Sequence, residues 1–136
     1  MEVRQLNTLI RAAQFQSFSK AAESLGYSQS AVTVQIKALE EAYAKAECPV
    51  VSNNSAHRWT PDVPMVVPEI NPEHYEVIEH QKKRLGTTHG FIAVKPNCSI
   101  QAYTPALAAW KEFEPHEVIV STYLSLIHIS EPTRPY

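Results

Sequence analysis

Glycine is scarce in this chain: Gly26, Gly86 and Gly90 are the only three in 136 residues. They cannot compose a GxGxxG or GxxxxGK loop, which excludes a nucleotide phosphate loop of either kind. Proline is absent from residues 1–48, and all ten prolines fall from Pro49 onward, so composition changes sharply there. No apolar run approaches the roughly 18 residues of a membrane span, and the polar start after Met1 is unlike a signal peptide. Two distant cysteines, Cys48 and Cys98, are too few for a disulfide framework. Free thiols in a reducing cytoplasm are expected, with Cys48 in the core. Positive charge is also lacking. The net charge is −2, and residues 1–41 balance four basic against four acidic side chains, so charge alone makes no case for a polyanionic partner. The histidines, His57, His74, His80, His89, His116 and His128, show no metal-ligand spacing, so no metal is expected and each reads as surface or packing.

What is present divides the chain in two. The length suits one ordinary domain and not two large ones. Val3, Leu6, Leu9, Ile10 and Ala13 recur at helical spacing, predicting an amphipathic helix over 3–14. Ser19 is a candidate N-cap for a short helix over 20–25 closed by Gly26, and Ser28 for a helix to about Glu41. Val32, Ile36 and Leu39 would be the buried stripe of that last helix, with Gln29, Ser30, Thr33 and Lys37 on its polar face. Two helices joined at Gly26–Tyr27 make a helix-turn-helix.

Beyond residue 48 the pattern becomes strand, helix, strand. Cys48–Ser52, Gly90–Val94 and Val118–Ser121 are strand candidates, 53–64 a loop, and Val66–Val67 a strand fragment. Asn71-Pro72 predicts a helix to about Arg84, with Glu76, Glu79, Lys82 and Lys83 on its solvated face. Asn97 or Ser99 predicts another helix, running to Phe113. The expected fold is an incomplete α/β unit of Rossmann-like type preceded by an all-α helix-turn-helix segment.

Phe18–Glu41, FSKAAESLGYSQSAVTVQIKALEE, resembles the N-terminal helix-turn-helix of LysR-type transcriptional regulators over residues 1–41. The resemblance implies that the helix starting at Ser28 enters the major groove, giving Gln29, Ser30, Thr33 and Lys37 the base and phosphate contacts. Val34 and Ala38 replace residues often basic in that family, and its wing and long dimerisation helix are not found, so at most weak DNA association is expected.

Residues 42–123 carry a second resemblance. SNNSAHRWTPDVPMVVPEINPEHYEVI, followed by KPNCSIQ, is similar to aspartate-semialdehyde dehydrogenase. Those enzymes interconvert aspartyl phosphate and aspartate semialdehyde with NADP, on the way to lysine, methionine and threonine. The resemblance makes Cys98 the nucleophile, Asn97 a positioning residue beside it and Arg58 the substrate-phosphate arginine. Asn53, Asn54 and Ser55 then fall in the region lining the cofactor site. The chemistry is consistent: a cysteine at a helix start faces the positive end of the dipole, and a guanidinium fork suits an oxyanion. Asn-Cys-Ser separates the chain from N-acetyl-glutamyl-phosphate reductases, which usually show Gly-Cys-Tyr, and from glyceraldehyde-phosphate dehydrogenases, which carry Ser-Cys-Thr-Thr-Asn. The glycine-rich NADP loop, the carboxylate-binding arginine and the acid/base histidine of such enzymes have no counterpart here. The expectation is a chain without turnover, cytoplasmic and soluble, whose parent families are oligomeric.

The final stretch, LSLIHISEPTRPY over 124–136, resembles a translated sequencing-adapter read and is assigned no function. The chain is thus expected to be a chimera of 1–41, 42–123 and 124–136, with joins near residues 39–41 and 123–124. Because its α/β part lacks early strands, a sheet edge and helix faces should be left uncovered, favouring aggregation or partial disorder.

Overall fold

A computed structural model describes residues 2–121; the 124–136 tail lies outside the described residues. The helix-turn-helix segment consists of α1 (Val3–Phe15), α2 (Phe18–Leu25) and α3 (Gln29–Lys45). Gln5 Oε1 accepts the Glu2 N–H at 2.9 Å and holds the start of α1. The cap of α2 is Ser17, not Ser19: Ser17 Oγ accepts the Lys20 N–H at 3.3 Å. Ser19 lies inside the helix and donates instead to Gln29 Oε1 at 3.1 Å. Gly26, at φ 67°, closes α2 in the left-handed conformation that glycine adopts without penalty. Ser28 caps α3 as expected, accepting the Ala31 N–H at 3.2 Å.

Packing rotates α1 away from its expected apolar stripe. Thr8 and Ala12 are buried, whereas Val3 (84% exposed), Leu9 and Ile10 face outward. Small side chains decide this, because Ala12, Ala21 and Ala22 let three short helices approach closely. Thr8 Oγ1 lies 2.7 Å from Gln35 Oε1 and 3.0 Å from the Arg4 carbonyl oxygen, which satisfies the buried hydroxyl.

The longest helix serves both parts of the molecule. α3 continues past Glu41 to Lys45 through Ala-Tyr-Ala-Lys, in which Ala42, Ala44 and Lys45 are strong helix formers. Its first half buries Val32 and Ile36 against Ala22 and Phe18. Its last turn buries Ala44 against Val63, Ile92 and Val94. Leu39, between these positions along α3, is also buried.

β1 (Val50–Ser52) and β2 (Ile92–Val94) pair in parallel, Val50 opposite Ile92 and Ser52 opposite Val94. The connection runs through two 3₁₀ turns (Ser55–His57 and Pro72–Glu76) and α4 (Val77–Leu85). β2 is fully buried, its other side covered where Val94 N–H donates to the Pro64 carbonyl at 2.9 Å. That bond explains why Val66 and Val67 are buried without forming a strand of their own. β1 is shorter than expected and only half-covered, with Val51 80% exposed. Cys48 is exposed, contrary to its expected place in the core: the chain is still turning through Glu47, at φ 64°, and pairing begins only at Val50.

Two polar side chains join the elements. Buried Gln81 of α4 accepts the Ile92 N–H at 2.6 Å and donates to the carbonyls of Ile92 (2.9 Å) and Asp62 (2.7 Å). The Glu47 carboxylate accepts the N–H groups of Thr88, His89 and Gly90 at 2.6–3.1 Å. Gly90 is required there, since a Cβ would sit 1.8 Å from the Ala44 carbonyl oxygen.

α5 (Cys98–Ala109) ends earlier than expected, and the 3₁₀ turn Lys111–Phe113 follows. None of its residues is fully buried. The strand expected over 118–121 does not form: these residues are exposed and outside regular structure, with no strand beside them among the described residues.

Candidate functional site

Cys98 is the first residue of α5 and is exposed. Asn97 is the N-cap, its Oδ1 accepting the Ser99 N–H at 2.8 Å, which fixes the turn on which the thiol sits. Arg58, which ends the 3₁₀ turn Ser55–His57, reaches this turn. Its Nε donates to the Lys95 carbonyl at 3.2 Å, and its Nη2 approaches the carbonyls of Pro96 (3.4 Å) and Asn53 (3.3 Å). The guanidinium therefore ties the two residues preceding Asn97 to the loop that leaves β1. Among the described residues, no side chain is hydrogen-bonded to the Cys98 sulfur, and no group of three His, Cys, Asp or Glu side chains could hold a metal ion.

Asn53, Asn54 and Ser55 lie on that same loop. Asn54 Oδ1 accepts the Ala56 N–H at 3.1 Å and starts the 3₁₀ turn, while its Nδ2 is buried without a hydrogen-bond partner. With Arg58 they form one wall of a cleft of about 630 Å³. Gln29 and Thr33 of α3 also line it, with Leu9, Ala12 and Phe18. The candidate cofactor residues and two candidate DNA-reading residues thus border the same cleft. Ser30 stands apart, exposed, with its Oγ 2.9 Å from Ser28 Oγ. Lys37 is half-buried beside the cleft, and Cys98 and Asn97 do not line it.

The three glycines build no dinucleotide-cradling turn among the described residues. Gly26 and Gly86 close α2 and α4, and Gly90 packs on Ala44. None lies in a strand-to-helix turn where backbone N–H groups could cradle a pyrophosphate.

A buried polar cluster not anticipated from residue order borders the cleft through Ser52 and Glu40. Ser52 Oγ donates to Glu40 Oε1, and Glu40 Oε2 lies 3.5 Å from His57 Nε2, within ion-pair range but outside hydrogen-bond geometry. The His57 side chain is 1% exposed and that of Glu40 12%. Burial pushes the Glu40 carboxyl up, opposed by the Ser52 hydrogen bond. Burial pushes His57 down, opposed chiefly by the Lys37 carbonyl. Both shifts, caused chiefly by burial, oppose the charged forms of the two groups. The available signal was the position of His57 within Ser-Ala-His-Arg, a loop whose neighbours were already singled out.

Comparison with known proteins finds two families. Residues 3–46 match the bacterial regulatory helix-turn-helix protein, lysR family. Residues 29–78 match the semialdehyde dehydrogenase, NAD binding domain. Aspartate-semialdehyde dehydrogenase of Aspergillus fumigatus is 40% identical over 82 residues, 60% of this chain and 23% of that protein. The same-named protein of Methanothermobacter thermautotrophicus is 53% identical over 58 residues, 43% of this chain and 16% of that protein. Malonyl CoA reductase (NADP) of Metallosphaera sedula is 38% identical over 89 residues, 65% of this chain and 25% of that protein. The chain spans about a quarter or less of the length of these relatives. Among the described residues no helix is long and apolar enough to cross a membrane. The chain is therefore similar to two families, the lysR-family helix-turn-helix and semialdehyde dehydrogenase, and the two matches overlap on residues 29–46, which contain the whole of α3.

Proposed function

We propose that residues 42–123 are the cysteine-bearing piece of an NADP-dependent aspartate-semialdehyde dehydrogenase, and that this 136-residue chain does not turn over. Cys98 is its nucleophile, Arg58 its phosphate-binding residue and Asn97 the residue that sets the thiol's position. Asn53, Asn54 and Ser55 border the cofactor region. The observation that carries the reading is the reach of Arg58 to the Lys95 and Pro96 carbonyls, which seats a cation beside the turn bearing Cys98. In such a site the thiolate attacks the acyl carbon of aspartyl phosphate. A Cys98 thioester forms, inorganic phosphate leaves and the thiol proton passes to solvent. Arg58 holds the departing phosphate. Hydride transfer needs the bound nicotinamide cofactor, and none of the three glycines forms a phosphate-cradling turn for it. The parent activity is placed in the cytoplasm and in an oligomer.

Acylation by aspartyl phosphate, followed by mass spectrometry, tests the assignment. Labelling is expected at Cys98, slower by at least about tenfold in Arg58→Ala, as loss of a charged hydrogen-bonding partner worth ~1.5–3 kcal/mol implies, and absent in Cys98→Ser. Equal labelling with and without Arg58 would sink it. In steady state, NADPH formation from aspartate semialdehyde, phosphate and NADP should be undetectable, and measurable turnover refutes the inactivity.

A second reading rests on the N-terminal part, with residues 1–41 taken as the DNA-binding unit. All three helices are present, α2 and α3 are capped by Ser17 and Ser28, and the match covers residues 3–46. This unit binds duplex DNA weakly through Gln29, Ser30, Thr33 and Lys37, and binding should fall steeply with added salt. Lack of any association at low salt excludes it.

A further inference from the structure

We propose that the loop Ser52–His57 masks the DNA-reading face of α3, so that duplex binding and closed packing of the two parts exclude each other. The inference rests on the DNA-binding reading above and concerns its regulation.

At about 100° per residue, Gln29, Thr33, Lys37 and Glu40 fall within a sector of roughly 80° on α3. That sector faces the loop. Ser52 Oγ donates to Glu40 Oε1, and His57 Nε2 lies 3.4 Å from the Lys37 carbonyl oxygen and 3.5 Å from Glu40 Oε2. Asn53, Asn54 and Arg58 line the same cleft as Gln29, Thr33 and Glu40. A major groove about 12 Å wide admits a bare helix with its side chains, itself about 10–12 Å across. A helix carrying a second layer of chain on its reading face does not fit. The cleft, about 630 Å³, is the size of a small-molecule pocket and far too small for a duplex.

The closure is also poised to open. Glu40 Oε2 is buried without a hydrogen bond, and its nearest cationic candidate, His57, is held towards its neutral form. Opening returns both groups to water, which offsets part of the packing lost. The helix-turn-helix keeps its own core of Ala22, Val32 and Ile36 when the loop departs.

Full-length chain and two variants, His57→Glu and Ser52→Ala, would be titrated with a fluorescent duplex of mixed sequence at low salt, with hydrogen exchange followed in parallel. His57→Glu adds negative charge, so tighter binding can come only from exposure of the reading face. Ser52→Ala loosens the latch without changing charge, and is the variant relied on if His57→Glu loses amide protection at Val32 and Ile36. The expected results are several-fold tighter duplex binding by the variants, and faster exchange over residues 50–58 of the parent chain when duplex is added. Equal binding by all three proteins, or duplex-induced protection of residues 52–57, overturns the masking while leaving DNA binding in place. No binding by any of the three overturns both.

Discussion

Glu47 lies two residues beyond α3 in a left-handed conformation, with its carboxylate against three consecutive backbone N–H groups. The His89, Thr88 and Gly90 amides pull its pKa from the ordinary 4.5 to about 2. A carboxyl depressed on folding stabilises the protein above its unfolded pKa and loses that contribution as pH falls through the folded one. The contribution should be complete above about pH 4.5 and vanish towards pH 2. Denaturant melts across that range should show Glu47→Gln less stable than the parent chain at pH 6, with the difference shrinking on acidification. A constant difference would mean that the nest does not hold the charge. His57, shifted down, also costs stability as pH falls below its ordinary 6.5, whereas Glu40, shifted up, acts in the opposite sense above 4.5. None of this was legible from Glu40, Glu47 or His57 in the sequence, because burial and amide geometry come from residues distant along the chain.

At the scale of elements, local rules worked where neighbours along the chain decide the outcome. Gly26 and Ser28 bracket the turn as expected, and Asn97 starts α5. They failed by two residues at α2, where Ser19 is the expected cap but Ser17 takes that place and Ser19 bonds to Gln29 of α3. Ser17→Ala should therefore cost about 1 kcal/mol by loss of a cap. Ser19→Ala should cost less, because Ser19 lies inside the helix. Thermal melts of the two variants check the order, and a larger loss at Ser19 would contradict it. Strands fared worse than helices. Val118–Ser121 has strand-like composition but no strand beside it among the described residues, whereas Ile92–Val94 forms a strand because β1 and the Pro64–Val66 segment flank it.

For the whole molecule, the join expected near residues 39–41 falls inside a continuous helix. α3 carries Val32 and Ile36 into one cluster and Ala44 into the other. Gly90→Ala tests how far the two parts are coupled. Its Cβ would strike the Ala44 carbonyl, and overpacking of this kind typically costs about 1–3 kcal/mol. Amide exchange at Ala44, Ile92 and Val94 should accelerate, while Val32 and Ile36 stay protected by their own cluster. Equal acceleration at all five would instead show one cooperative unit. The uncovered surface expected for a partial sheet is present: Val51 on β1 and Trp59, Ile100 and Trp110 are exposed. A chain with these groups in water is expected to self-associate, which sedimentation over a concentration series would reveal.

Residue order alone determined the two resemblances, the capped helix-turn-helix, and the Cys98 and Arg58 motifs, because spacing, caps and motif strings are properties of adjacent residues. Tertiary structure alone decided which face of α1 is buried, that α3 serves two cores, that Glu40 and His57 are withdrawn from water, and that Lys37 and Glu40 of α3 meet Ser52 and His57. Those outcomes depend on groups separated by tens of residues coming into contact, and no local pattern encodes the shape of what they meet.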